Sequence, residues 1–410
     1  MSRYHETLEW LYAQLPVFQH SGGQLSSYKL DLSKTQSFME VLGNPERNFP
    51  AFHVAGTNGK GSTSHMLASC LQEGGYCVGL YTSPHLVSYT ERIKIQGQEL
   101  SEEAVVHFVD QWKSQFINLE LSFFEMSVGM AFQAFADAKV DVAVIEVGMG
   151  GRLDSTNVIE SIVTGVTTID LDHQAFLGDS RALIAREKAG IFKPSIPAVV
   201  GQRDPETEPV FLEHAAKTGC PLVWAEDYPF ALSSCDLLGN YQESNQRVAR
   251  AMLAAQKHFL LSEATIQAGL QKVVYNTGLQ GRWQIVQERP LAIFDTAHNP
   301  QGLRATMSQF TQLEGGLMHL VIGMVGDKDV SAALGCLPKE ARYYFCAPRI
   351  PRALAVHEIQ AKSETLGLHG MAYNSVAEAW EAALSAASKD DRIYLGGSTF
   401  VVADALTYLK

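Results

Sequence analysis

Residues 55–63 read AGTNGKGST and bring three glycines, a lysine and several hydroxyls into one short stretch. Glycines let backbone N–H groups turn inward without a Cβ clash. The amides opening a helix carry partial positive charge and favour an anion. Lys60 adds a point charge suited to terminal phosphates, and Ser62 and Thr63 offer hydroxyls to phosphate or metal. The segment departs from the generic phosphate-loop pattern, because Gly61 stands where Ser or Thr usually follows the lysine. The plainer alternative is a glycine-rich turn with a surface lysine. An apolar run before it (49–55) and an apolar-periodic segment after it (63–71) supply the strand–turn–helix context of a phosphate cradle. A second glycine cluster, GMGGRL at 148–153, breaks the G-x-G-x-x-G fingerprint at its last position. It also follows a strand inside the domain, so dinucleotide binding is disfavoured.

Three further predicted strands carry polar residues at their carboxyl ends, where parallel α/β sheets bind ligands. Glu146 ends the mostly apolar stretch 140–147, Ser83 follows 77–81, and His173 closes the DLDH cluster at 170–173. A carboxylate beside a triphosphate suits Mg²⁺, a hard cation that takes oxygen ligands. His173 reads equally as a metal ligand or as a buried, satisfied histidine. The stretch REKAGI at 186–191 reads, by itself, as a charged surface turn.

Short apolar runs at 49–55, 77–81, 140–147, 161–168 and 198–201 alternate with amphipathic segments, and the pattern resumes at 291–295, 319–323, 342–347 and 392–396. Helices are predicted over 247–260 and 375–388, among others. This order implies parallel strands with crossover helices. The expected class is α/β: a doubly wound, mostly parallel phosphate-loop domain (1–285) followed by a smaller Rossmann-like α/β domain (286–410). The chain has 410 residues, and hydrophobic types make up 46% of them, enough for sizeable cores. Its net charge of −12 argues against sequence-independent nucleic-acid binding. No apolar stretch is long enough for a membrane span or a signal peptide. The six cysteines form no C-x-x-C pair and read as reduced thiols, which points to the cytoplasm.

Nine segments occur in the order found in the bacterial bifunctional dihydrofolate synthase/folylpolyglutamate synthase family: AGTNGKGST, TSPHLVSYTERI, VIEVGMGGRLDSTN, DLDHQAFLG, REKAGIFKP, GRWQ, FDTAHNP, GMVGDKD and GGSTF. The chain resembles that family, which belongs to the wider Mur-type amide ligases, from residue 28 to 402. The resemblance implies ligation of L-glutamate to dihydropteroate and to reduced folates, with ATP cleaved to ADP and phosphate. It implies that Thr57, Asn58, Gly59, Lys60, Gly61 and Ser62 hold the triphosphate, and that Asn245, Arg282, Asp295 and His298 contact the nucleotide. His298 and Asn299 would lie in a loop of the smaller domain that closes on it. Ser83, Glu146 and His173 match Mg²⁺ ligands. Lys188 matches a lysine that is carbamylated and helps hold a second metal ion. Ser122, Phe123, Phe124 and Glu125, with Leu153, Asp154 and Ser155, match pteroate-binding segments. Lys29, Leu30, Asp31 and Leu32 match a further substrate loop, with Asp31, Ser33 and Lys34 standing where the family shows a glycine and a Glu-Arg pair. Thr296 replaces the usual glycine of the family's D-G-A-H-N-P segment. His85 and its surroundings resemble the form found in members that also use dihydropteroate.

The implied chemistry is consistent with these groups. A carboxylate is a poor acyl donor, so it is first phosphorylated to an acyl phosphate, which the α-amine of glutamate then attacks. Lys60, Mg²⁺ and Arg282 suit the charge that develops, and His173 and Lys188 would support the metal ions. Carbamylation requires a neutral amine, so a depressed Lys188 pKa is expected. Family precedent points to a monomer. Two other readings compete: a monofunctional folylpolyglutamate synthase or other Mur-type amino-acid ligase, and a nucleotide-dependent switch. The chain lacks an N-K-x-D guanine-reading motif.

Overall fold

The computed structural model describes residues 2–14, 31–229, 231–326 and 329–410. Lys29 and Leu30, and positions 327–328 of GMVGDKD, lie outside the described residues. The chain divides into two compact units: Met1–Asp236 with Glu243–Gly278, and Leu237–Gln242 with Leu279–Lys410.

The first unit is built on an eight-stranded sheet. Its strands are β1 (Ala51–Ala55), β2 (Val78–Tyr81), β3 (Ile93–Ile95), β4 (Gln98–Glu99), β5 (Val142–Glu146), β6 (Ser161–Val166), β7 (Ala198–Val200) and β8 (Leu222–Trp224). The order is β4-β3-β2-β5-β1-β6-β7-β8. All pairings from β2 to β8 are parallel, while β3 and β4 add antiparallel at one edge. Every residue of β1, β5 and β6 is buried. Strands covered on both faces need no polar alternation, so they read as continuous apolar runs. The register matters most at the carboxyl ends: Val54 pairs with Glu146 and Ala55 with Val166. The helix Phe123–Asp137 covers one face, contributing Met126, Phe132 and Phe135 to a core with Phe38, Tyr81 and Ile145.

The second unit carries a six-stranded sheet of β9 (Gln284–Glu288), β10 (Leu291–Phe294), β11 (Met318–Ile322), β12 (Ala341–Phe345), β13 (Gly370–Ala372) and β14 (Arg392–Gly396). The order is β13-β12-β11-β14-β10-β9, parallel except for β9. Leu303, Met307, Leu320, Phe345 and Tyr394 lie in its core. Among the described residues no helix is long and apolar enough to cross a membrane.

The predicted α/β class with two sheets holds. The differences lie at edges and ends. The strand predicted over 161–168 stops at Val166, because Thr167 and Thr168 turn their hydroxyls toward the loop after β1. The helix predicted over 247–260 starts earlier and ends earlier, at Gln242–Ala255. The REKAGI stretch is not a surface turn throughout. Arg186 is exposed, but the helix Arg181–Ala189 turns Lys188 inward, leaving it 4% exposed. The short strands β3, β4 and β9 are broken up by charged or amide residues, whereas β8 and β13 lie in brief apolar stretches (221–225 and 370–373) not included among the expected strands.

The helices Lys60–Glu73 and Glu263–Leu270 approach closely because Gly269 has no side chain. A Cβ there would lie 2.5 Å from Cys70 Cα and 2.8 Å from its amide nitrogen, and backbone cannot move aside as a side chain can. Gly269→Ala should therefore destabilise the fold by roughly 1–3 kcal/mol, the usual cost of overpacking. Chemical denaturation would measure it; an unchanged midpoint would show that the helix pair accommodates a methyl group at this contact.

Candidate active site

The loop after β1 runs into the helix Lys60–Glu73, whose N-cap is Gly59 at φ 88°. Left-handed backbone favours glycine at that cap. Space requires it too, since a Cβ on Gly59 would fall 2.0 Å from Asn245 Oδ1. A Cβ on Gly56 (φ 150°) would fall 1.8 Å from Thr167 Oγ1. Neighbouring strand ends hold the loop's shape. Thr57 N donates to Thr168 O (2.7 Å), and Asn58 N donates to Thr168 Oγ1 (3.1 Å). Thr167 Oγ1 donates to Asn58 O (2.6 Å), and Thr57 Oγ1 donates to Asp170 O (3.1 Å). Lys60 Nζ donates to the carbonyls of Gly56 (3.0 Å) and Thr57 (3.2 Å), which centres its charge in the cradle. Ser62 and Thr63 are both buried, so the first helical turn packs inward immediately after Gly61.

Lys188 approaches the same loop from the end of its helix, and its Nζ donates to Gly56 O at 2.8 Å. Burial, and then the nearby positive charge of Lys60, push the amine down to about 7. Glu146 is 4% exposed, and its Oε2 accepts from Ser83 N at 3.2 Å. The segments leaving β2 and β5 are thereby tied together, with the carboxylate between them. His173 is neither buried nor part of the core. It caps the short helix Gln174–Leu177 at φ 50°, with its side chain 43% exposed and Nε2 3.9 Å from Asp172 Oδ2. Of the two readings open for it, the satisfied core histidine falls away. Among the described residues no group of three or more His, Cys, Asp or Glu is placed to hold a metal.

Ser122 and Glu125 form a capping box on the helix Phe123–Asp137. Glu125 Oε2 accepts from Ser122 N (2.8 Å), and Ser122 Oγ accepts from Glu125 N (3.3 Å). Their polar atoms thus serve the helix start. Phe123 is buried, whereas Phe124 is half-buried, 6.2 Å from the Tyr81 ring and close against Gly148. Asp154 is buried and caps the short helical turn Ser155–Val158. It accepts from Met149 N (2.8 Å), Thr156 N (3.0 Å) and Thr156 Oγ1 (2.5 Å). Burial raises its carboxyl above the usual range, and these donors counter part of that rise. Leu153 and Ser155 flank it, half-buried. Asp31 is exposed and accepts from Ser33 N at 2.9 Å, and Leu32 opens the helix Ser33–Leu42.

In the second unit, Asp295 at the end of β10 is buried and fully engaged. Its Oδ2 accepts from Tyr241 OH (2.6 Å) and Trp283 N (2.7 Å), and its Oδ1 accepts from Ala297 N (2.8 Å). Burial raises its pKa, opposed first by Tyr241. Arg282 donates to Thr296 Oγ1 and to Gly281 O. His298 Nδ1 lies 3.1 Å from Thr296 O, and Asn299 caps the helix Pro300–Phe310.

Sequence reasoning missed the part that Thr167, Thr168 and Asp170 play in shaping the phosphate loop from outside it. The one available signal was a pair of hydroxyls closing an apolar strand. His53 also went unnoticed: it is fully buried on β1, 2.9 Å from Thr156 Oγ1, and burial pushes its imidazole down to about 3.

Residues 54–231 match the family described as Mur ligase middle domain, and residues 281–399 match the one described as Mur ligase, glutamate ligase domain. The chain is 38% identical over 373 residues to the dihydrofolate synthase/folylpolyglutamate synthase of Escherichia coli (strain K12), a match covering 87% of this chain and 85% of that protein. The structure of E. coli FolC in complex with DHPP and ADP is similar at a TM-score of 0.85 with 33% identity, covering 98% of this chain and 97% of that one. A bifunctional folylpolyglutamate synthase/dihydrofolate synthase with Mn, AMPPNP and L-glutamate bound gives 0.85 and 33%, covering 100% and 98%. With this identity sustained over most of both chains, and with the glycine loop and Glu146 at adjoining strand ends and the Lys188 amine reaching that loop from its helix, the chain belongs to the dihydrofolate synthase/folylpolyglutamate synthase family of Mur-type ligases.

Proposed function

We propose that this chain is an ATP-dependent ligase that joins L-glutamate to dihydropteroate, forming dihydrofolate, and to reduced folates, forming polyglutamates. One observation carries this reading: the glycine loop of β1, the carboxylate of β5 and the buried amine of Lys188 gather at adjacent carboxyl ends of one parallel sheet. Residues 57–62 hold the triphosphate through backbone amides and Lys60, with Asn245 packed against Gly59. Arg282, Asp295 and His298 serve the nucleotide from residues 286–410 and the segment just before them, and that smaller domain takes glutamate. Phe124 and the turn shaped by Asp154 receive the pteridine-bearing acid within 1–285.

The donor set suits a hard divalent cation such as Mg²⁺. The buried Glu146 carboxylate and the Ser83 hydroxyl provide oxygens, and His173 caps the short helix Gln174–Leu177 in the segment that follows β6. Lys188 would support a second ion only as a carbamate, which replaces a cation with an oxygen-bearing anion. An amine held near 7 is neutral often enough to react with CO₂. Bound metal would supply charge neutralisation for the phosphates.

The reaction then proceeds in two displacements. A carboxylate oxygen of the acceptor attacks the γ-phosphorus, the bond to the β-phosphate oxygen breaks, and ADP leaves. The α-amine of glutamate next attacks the acyl phosphate carbon, the amine loses a proton, and phosphate leaves as the amide forms. Lys60 and the loop amides offset charge on the transferred group. This is chemistry of positioning rather than of a dedicated acid or base. Free cysteines throughout agree with a cytoplasmic address, and we expect a monomer.

ADP release should depend on L-glutamate together with dihydropteroate or tetrahydrofolate monoglutamate; turnover indifferent to both would end the proposal. Phe124→Ala should raise the acceptor KM by about tenfold or more, the scale of a lost aromatic contact plus burial, and leave the ATP KM near its original value. Steady-state kinetics with each substrate varied would show a parallel rise in both if Phe124 were only structural. Lys188→Met offers a test by stability. Below about pH 7 both folded and unfolded chains keep this proton, and the fold bears the whole cost of a buried charge. Between there and the ordinary lysine range only the unfolded chain keeps it, so native stability rises with pH. In CO₂-depleted buffer the variant should gain more stability over the parent at pH 6 than at pH 9. A gain equal at both would mean an unperturbed amine.

A further inference from the structure

Arg92 lies in the TSPHLVSYTERI segment, and the phosphate and metal chemistry leaves it unused. It is 5% exposed, yet among the described residues its guanidinium forms no ion pair. Its Nε donates to His85 Nδ1 at 2.8 Å. That bond puts the His85 proton on Nε2, 3.5 Å from Tyr12 OH. An imidazole nitrogen accepts the bond but offers Arg92 no negative charge. The guanidinium lies 5.0 Å from the Phe123 ring centre and 5.9 Å from that of Tyr89, with the Tyr81 phenol beside it. Aromatic faces compensate a buried cation only in part. Phe123 is also the first residue of its helix, where the backbone amides are themselves partially positive. The nearby carboxylate of Glu125 is committed to the helix cap and Thr35. A desolvated cation at a positive helix end, with its Nη groups lacking any acceptor of opposite charge, is an anion site.

Its position says which anion. Arg92 O accepts from Thr82 N at 3.0 Å, so the residue is fastened beside Ser83, whose amide meets Glu146. It thus belongs to the acceptor's reacting end and is separate from the phosphate loop, which has Lys60 and Lys188 of its own. Dihydropteroate brings one carboxylate, the one that reacts. A folyl glutamate brings two, and its α-carboxylate lies a short aliphatic chain from the reacting γ-carboxylate. We infer that Arg92 binds the non-reacting α-carboxylate of glutamyl acceptors, and so serves the chain-extending reaction rather than the dihydropteroate reaction. The inference rests on the ligase reading above. It fails separately from it, because each acceptor is assayed by itself.

Arg92→Gln should lower kcat/KM for tetrahydrofolate monoglutamate by about tenfold or more, the scale of a lost charge-assisted contact. The value for dihydropteroate and the KM for ATP should stay within about twofold, and Arg92→Lys should recover part of the loss. Equal losses with both acceptors would assign Arg92 to the pteridine or to packing and overturn the inference. If the variant does not fold, the parent enzyme decides. Tetrahydrofolate whose glutamate carries an α-carboxamide should bind at least about tenfold more weakly than the natural acceptor, and equal binding overturns the inference. Absence of product with every acceptor would instead strike the ligase reading itself.

Discussion

Parallel pairing of β1 with both β5 and β6 is the constraint on which the site depends. Because Val54 sits opposite Glu146 and Ala55 opposite Val166, three chain segments leave the sheet at the same level and side by side. Each leaves with a different chemical burden: a glycine-rich turn, a carboxylate, and a pair of threonine hydroxyls. A one-residue slip in either pairing would invert the faces and pull these groups apart. Burial on both sides of the three strands makes such a slip costly, so the sheet that builds the core also sets the geometry of the chemistry.

The helix Arg181–Ala189 completes the arrangement from outside the sheet. Its last turn reaches two loops at once. Lys188 donates to Gly56 O in the phosphate loop, and Glu187 O accepts from Arg152 N in the loop after β5 at 2.8 Å. Arg152 and Glu187 also form an ion pair at 2.9 Å. A buried lysine is tolerated here because it can discharge its proton and still donate to a carbonyl. The same position therefore braces the loops and presents an amine with altered reactivity.

Several groups in the ligand-binding segments are occupied with shaping the protein. Asp154 uses its carboxylate to fold the turn at 148–149 and to cap the residues after it. Ser122 and Glu125 start a helix. Asp295 ties Tyr241, Trp283 and Ala297 together. Their removal would be felt first as misplacement of neighbours, so function and local stability are coupled at these positions. Phe124 and Arg92 differ: one leaves part of its ring uncovered, and the other has its charge uncompensated.

The sequence alone determined whatever depends on local periodicity and near-neighbour chemistry. Fully buried parallel strands need continuous apolar runs, so β1, β5, β6, β10, β11 and β14 were legible, as were the phosphate loop and the polar ends Ser83 and Glu146. Edge strands such as β4 and β9 were not, because short or half-exposed stretches with polar residues carry no continuous apolar run. The tertiary structure decided what depends on groups far apart in the chain. REKAGI looks like a charged turn until the helix is docked and one of its lysines is enclosed. His173 could be buried or exposed until its one-turn helix was placed at the surface. Thr167 and Arg92 acquire meaning only when folding sets them against Gly56 and His85, and only the fold shows Asn245 packed against Gly59. Desolvation and unbalanced charge are properties of an enclosed space, and a linear string of residues encloses nothing.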